Sequence, residues 1–457
     1  MSHSKISNWG SHLLLLAGVV AFFLTGCGSS DPDPQRNISL LSASINGGNL
    51  VSGMINIPIE MEVDLVFSNG LNQNAFESQL SLSGGGQPSY DVVLSNGGTK
   101  ATITADLNYD SEYTLTIGTG VIGTGGERLA NSLNYQFTTA ADDVIRSMAP
   151  CISDCLQSVE LNGSEGPGTF EFYGNYPLYE QNAVWENLTQ AVIVVHGASH
   201  NADDYYSYLS NSLRSESLDE STVLISPYFR NTSTGSDEDF YWSGVNYRDG
   251  DESSNSNKIS SFKVLDELIS QLADKDHFPV LQKIIITGQS SGGRFIHLYA
   301  PSNVSENNHP DISFEYIVSE SQYFYYPDGR RIDEISNQLY MPSSCVGYDI
   351  WPFGYNVVPP YLAATDQATF NDQFTNRSIH YLLGSGTGSD PSFNTADCGA
   401  TLLGSSRYQR GENMFRYMEL AYPETHNHKK TVVPGVAHNG SQIYQSTEFK
   451  NLLRQLL

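Results

Sequence analysis

The stretch Lys283-Ile284-Ile285-Ile286-Thr287-Gly288-Gln289-Ser290-Ser291-Gly292-Gly293 decides the reading of the chain. Its first half is a short apolar run, the pattern of a strand buried on both faces. Its second half is a G-x-S-x-G pattern. A serine on a sharp strand-to-helix turn forces its neighbours together, and glycine at Gly288 and Gly292 removes the Cβ atoms that would clash. The Ser290 hydroxyl then stands above the end of the sheet, within reach of a histidine. Phe295, Leu298 and Tyr299 suggest a helix after it. In a chain with 40 glycines the bare pattern says little. The strand before it and the helix after it give it weight.

Similar runs recur on either side. Strands are predicted at Thr169–Tyr173, Ala191–Val195, Val223–Ile225, Lys283–Thr287, Phe314–Val318, Ile379–Leu383 and Thr431–Val433. Ser261–Ala273 reads as an amphipathic helix with Val264, Leu265, Leu268, Ile269 and Leu272 on one stripe. Alternating strands and helices over 166–457 specify an α/β doubly wound domain, whose sites lie at the carboxyl ends of its strands.

Each residue such a serine needs has a candidate. His438, in Pro434-Gly435-Val436-Ala437-His438, follows the last strand. A neutral imidazole there accepts the serine proton and returns it to the leaving group. The acid is expected after Ile379–Leu383, where Asp390 is the first carboxylate and Asp397 the second; Asp390 is preferred as the nearer. The oxyanion hole needs two backbone N–H groups, from Ser291 and from Ala198 in the loop His196-Gly197-Ala198. His426 and His428 precede the last strand among Asn427, Lys429 and Lys430, and read as a solvated loop rather than a metal site.

The order serine, acid, histidine is that of the α/β-hydrolases, and 166–457 resembles that superfamily. Val194-Val195-His196-Gly197-Ala198, Asn201-Ala202-Asp203-Asp204-Tyr205, Gly288–Gly293, and Cys345 with Trp351-Pro352-Phe353-Gly354 resemble a poorly characterised group of secreted hydrolases. The resemblance implies an oxyanion loop at 196–198 and an insertion before the acid strand. It also implies an aspartate three residues after the glycine that ends that strand, but this chain has Thr387 there. The acid has therefore shifted or been replaced. The insertion, 319–377, holds Tyr323, Phe324, Tyr325, Tyr326, Trp351, Phe353, Tyr355 and Tyr361. These rings either cap the pocket or fill a core of their own.

Residues 37–140 have a different texture, rich in Ser, Gly, Asn and Thr. Period-two alternation in Glu62–Phe67, Ala101–Thr104, Tyr113–Ile117 and Tyr135–Thr138 predicts a β-sandwich. Its ending resembles bacterial immunoglobulin-like domains. A linker is expected at 141–165. At the start, Lys5, the apolar run Leu13–Leu24 and Leu24-Thr25-Gly26-Cys27 form a signal peptide over 1–26, followed by a tether over 27–36. The pattern resembles a bacterial lipobox, which implies lipidation of Cys27. Gly28 after it favours the outer membrane by resemblance to Gram-negative lipoproteins, periplasmic or cell-surface exposed.

With Cys27 lipidated, Cys151, Cys155, Cys345 and Cys398 remain in an oxidising compartment. Four thiols permit three connectivities. The pairing expected is Cys151–Cys155 and Cys345–Cys398; a metal site is disfavoured because no histidine stands near the first pair. The net charge of −27 argues against nucleic acid and anionic membrane surfaces as partners, leaving the lipid as the only membrane contact. The expected function is a surface-anchored serine hydrolase acting on small-molecule or polymer carboxylic esters, with no metal or organic cofactor. A serine peptidase, or a non-catalytic binding lipoprotein, is the alternative.

Overall fold

The computed structural model describes residues 36–457, which divide between Asp142 and Asp143 into two compact units. The signal peptide, Cys27 and nearly all of the tether lie outside the described residues.

The first unit is a sandwich of a five-stranded and a four-stranded sheet. The alternation read from the sequence sets its core. In Glu60–Phe67, Met61, Val63, Leu65 and Phe67 are buried, while Glu60 and Glu62 are exposed. Tyr113, Leu115 and Ile117 do the same for the opposing sheet.

The second unit is built on eight strands: β1 (Leu156–Asn162), β2 (Pro167–Gly174), β3 (Gln190–Val195), β4 (Thr222–Pro227), β5 (Lys283–Gln289), β6 (Ser313–Ser319), β7 (Ile379–Gly384) and β8 (His428–Val433). They lie in the order β1-β2-β4-β3-β5-β6-β7-β8. Only β2 runs against its neighbours, pairing antiparallel with β1 and β4. This is the strand order and direction of the α/β-hydrolase fold. The central strands are buried on both faces, β3 and β4 along their whole length, which is why they read as unbroken apolar runs. All seven predicted strands are present. The eighth, β1, lies within 141–165, so that stretch is no linker. It holds the edge strand of this unit, and its weak apolar content hid it. The Cys151–Cys155 disulfide precedes it, and Cys155 O accepts from Gly174 N.

Register positions the site. Val195 of β3 pairs with Gly288 of β5, and Gln289 of β5 pairs with Ser319 of β6. Three chain reversals, at His196, Ser290 and Glu320, therefore fall side by side at one edge of the sheet. Gly384 of β7 pairs with Val433 of β8, which brings the loop carrying His438 to the same edge.

Helices α1 (Ala202–Ser215), α2 (Ser261–Leu272), α3 (Ser291–Ser302), α4 (Gln367–Asn376) and α5 (Arg407–Ala421) cover the sheet. The five apolar residues predicted as the α2 stripe are all buried. In the insertion, Phe324, Tyr325 and Tyr326 are fully buried and join the main core. Tyr325 meets Phe370 of α4 at 4.9 Å between centroids, and Tyr326 meets Tyr417 of α5 at 4.8 Å. Of the two alternatives for these rings, the structure takes the core. The Cys345–Cys398 disulfide ties the insertion to the segment after β7.

Candidate active site

Ser290 joins β5 to α3 with φ 62° and ψ −114°, a conformation sterically costly for a residue with a side chain. The glycines around it are required by close approach. A Cβ on Gly288 would lie 2.5 Å from the Gly292 carbonyl, and one on Gly292 would lie 2.1 Å from Val195 O. The strained residue is held by its own backbone: Ser290 N donates to Ser319 O at 3.0 Å. Ser291 begins α3, so its N–H has no partner within the helix.

The loop after β3 is fixed from beneath. His196 is fully buried, and its Nε2 accepts from Phe229 N at 3.1 Å. The ring proton must then sit on Nδ1, which donates to Gly197 O at 2.8 Å. Burial lowers the His196 pKa to about 3, so the ring stays neutral. The Tyr247 hydroxyl donates to the same carbonyl at 2.9 Å. A trans peptide sets its N–H opposite its C=O. With Gly197 O drawn into the protein, the Ala198 N–H faces the other way, and Ala198 lines the cavity above Ser290.

That cavity, of about 400 Å³, has both Ser290 and His438 on its wall. The His438 loop is pinned to the end of β7 by Gly386 N donating to Val436 O at 2.7 Å. His438 Nδ1 is 2.9 Å from the Gln289 amide nitrogen and 3.8 Å from Glu320 Oε2. Glu320 is 2% exposed. It directly follows β6 with φ 50°, and its Oε1 accepts from Gly384 N at 2.6 Å. The Gln289 carbonyl oxygen accepts from the Tyr205 hydroxyl. As placed, the amide donates to Nδ1. A half-turn of the amide reverses both bonds, because a tyrosine oxygen accepts as well as it donates.

Asp390 and Asp397, the carboxylates expected to act on His438, are engaged elsewhere. Asp390 shares a second cavity, of about 200 Å³, with His438 and Glu320. Its Oδ2 binds Arg407 Nε at 2.5 Å, and its Oδ1 accepts from Ser392. Burial works to raise this carboxyl, but hydrogen bonds from Arg407 and Ser392, with the nearby positive charge, outweigh it and lower the pKa to about 2. Asp397 caps the short helix Cys398–Thr401 by accepting from Gly399 N. Arg407 also donates to Glu320 O at 3.2 Å, so the Asp390 pair braces the backbone of the buried glutamate.

The expectation of a solvated loop fails for His428. It opens β8 in the core, with Nδ1 2.9 Å from the Tyr381 hydroxyl and Nε2 2.6 Å from Phe374 O. Burial lowers its pKa to about 3. His297, on α3, is likewise buried, and its pKa is lowered to about 3. Among the described residues no group of His, Cys, Asp and Glu gathers to hold a metal. The sequence reading missed Glu320, Gln289, Tyr205 and Tyr247. Glu320 carried one usable signal: it is the first carboxylate after the strand next to the serine strand.

Residues 44–139 match the family model of a bacterial Ig-like domain. No curated protein matches the chain. Among solved structures, it is similar to the poly(3-hydroxybutyrate) depolymerase LpqC from Bordetella parapertussis, with 17% identity over 64% of this chain and 86% of that one, TM-score 0.44. It is similar to poly(aspartic acid) hydrolase-1 from Sphingomonas sp. KT-1, with 18% identity over 65% and 97%, TM-score 0.45. A thermostable esterase aligns at 11% identity over 91% and 99%, TM-score 0.36.

Proposed function

We propose that residues 143–457 form a serine hydrolase of carboxylic esters, with Ser290 as nucleophile, His438 as base and Glu320 as the carboxylate behind it. One observation carries the reading: a strained serine at a strand-to-helix turn shares a cavity wall with a histidine whose Nδ1 faces a buried glutamate. Ser290 Oγ attacks the ester carbonyl while its proton passes to His438 Nε2. The carbonyl oxygen gains the negative charge and accepts from the Ala198 and Ser291 N–H groups. The C–O bond to the alcohol breaks, the alcohol leaves with the proton from His438, and water then releases the acid by the same steps.

The imidazolium formed on the way carries a proton on Nδ1, where an acceptor is needed. Glu320, itself buried, supplies the opposing charge, and an interaction with a buried charge is screened less than in bulk. A turn of the Gln289 amide supplies the hydrogen-bond acceptor. Two groups thus share the work of one carboxylate. We further propose that Cys27 carries a lipid that holds the enzyme at the outer membrane. A fluorophosphonate probe tests the chemistry: it labels Ser290 in the wild type and leaves Ser290→Ala unlabelled. An unlabelled wild type would contradict the reading.

A further inference from the structure

The protein has 27 tyrosines and 20 phenylalanines, yet almost none of this apolar surface reaches Ser290. The insertion sends its rings into the core. The cavity wall at Ser290 has no Leu, Ile, Val, Met, Phe or Trp, and no side chain with a full charge. Its apolar surface is the Ala198 methyl and the faces of Tyr205 and Tyr208.

Polar groups stand there instead: Ser199 and Asn201 on the loop after β3, Tyr208 on α1, Ser392 on the loop after β7, and Asn439 and Ser441 on the segment after β8. Some of their capacity is used. Asn201 Nδ2 donates to Asp204, Ser392 bonds Asp390 and Arg407, Asn439 Oδ1 accepts from Gln442 N, and Ser441 accepts from Gln445. Asn201 keeps its Oδ1 and Asn439 its Nδ2. The hydroxyls of Ser199 and Tyr208 have no protein partner among the described residues.

A long acyl chain gains affinity with each CH₂ it buries, and this wall offers almost nothing to bury it against. A charged substrate finds no opposite charge. A ring of neutral donors and acceptors matches a substrate that carries several hydroxyls, each able to donate and accept. We infer, resting on the serine-hydrolase reading above, that the substrate is a short-chain ester of a neutral polyhydroxylated alcohol, the chemistry of an O-acetylated sugar.

The test uses the purified protein with p-nitrophenyl acetate and octanoate, an O-acetylated gluco-oligosaccharide, and cyclohexyl acetate as an alcohol of similar ring size without hydroxyls. Expected are faster turnover of p-nitrophenyl acetate than of octanoate, and kcat/KM on the sugar acetate about a hundredfold above cyclohexyl acetate, since a site built for hydroxyls discriminates against their absence. In the double variant Ser199→Ala/Tyr208→Phe that ratio should fall about tenfold. A preference for octanoate, equal rates on the sugar and cyclohexyl esters, or an unchanged ratio in the double variant would overturn the inference. Turnover of p-nitrophenyl acetate with Ser290 labelled, but no preference for the sugar ester, would overturn the substrate class and leave the serine-hydrolase reading standing. Inertness to every ester together with an unlabelled Ser290 would end both.

Discussion

Two strand ends, those of β6 and β7, bring a carboxylate toward the same histidine, and they do so differently. Glu320 follows β6 at once, in a left-handed conformation, with one oxygen held by Gly384 N and the other facing His438 at 3.8 Å. Asp390 comes later, on a loop, with its oxygens held by Arg407 and Ser392. A carboxylate serves a histidine only with an oxygen to spare, and strain is retained where the surroundings enforce it. The loop after β7 braces the site through Arg407, while the reversal after β6 supplies the charge.

Removal of the nucleophile sets the floor for reading that contrast. Ser290→Ala should lower kcat by on the order of a million-fold while the protein stays folded. Substantial turnover in a clean preparation would remove the serine from the mechanism, and with it the reason to compare the carboxylates.

The contrast also predicts a role for the amide between serine and histidine. Gln289→Leu should lower kcat about a hundredfold, since misplacing a catalytic ring by an ångström has effects of that size. Gln289→Glu should restore part of the rate and move the acid limb of the kcat/KM profile to higher pH, because it sets a carboxylate against Nδ1. An unmoved limb would mean that Gln289 only fills space. Beneath the oxyanion loop, Tyr247→Phe removes one of the three donors to Gly197 O, leaving His196 Nδ1 and His200 N. It should lower kcat about tenfold with little change in KM; a change in KM alone would place Tyr247 in substrate binding.

The Cys345–Cys398 disulfide anchors the insertion that fills the core beside both strand ends. Replacing both cysteines with alanine should cost about 2–5 kcal/mol in unfolding free energy, read by denaturant titration. No loss would show that the insertion packs without it. The smallest effect concerns the Asp390–Arg407 pair. The carboxyl is held at about pKa 2, below its usual 3.8. A depressed carboxyl stabilises the folded state fully above its unfolded value and loses that contribution as pH falls through its folded one. The stability gap between wild type and Asp390→Asn should therefore be constant above about pH 5 and close towards pH 2. A gap independent of pH would show that the pair is not the source.

The turn at Ser290, the proposed nucleophile, was legible because backbone geometry demands particular residues: Gly288 and Gly292 stand where any Cβ would clash. Strands β3 to β7 were legible because burial on both faces demands apolar runs. The carboxylate proposed as acid was not, because the demand on it is only reach, and reach depends on register. Glu320 stands beside Ser290 because Gln289 pairs with Ser319, a relation between residues thirty apart in the chain that local pattern does not carry. Edge strand β1 was missed because, with only two partly or fully buried apolar positions, Val159 and Leu161, it resembles a loop. His428 misled because its polar neighbours suggested solvent, whereas β8 turns its ring onto Tyr381 and Phe374.

Whether Glu320 or Asp390 serves His438 is decided by one paired measurement: kcat of Glu320→Gln and of Asp390→Asn on p-nitrophenyl acetate. Expected are a loss of roughly ten-thousand-fold for Glu320→Gln, the scale for removing a triad carboxylate, and of no more than about tenfold for Asp390→Asn. The reverse ranking would contradict the assignment of Glu320.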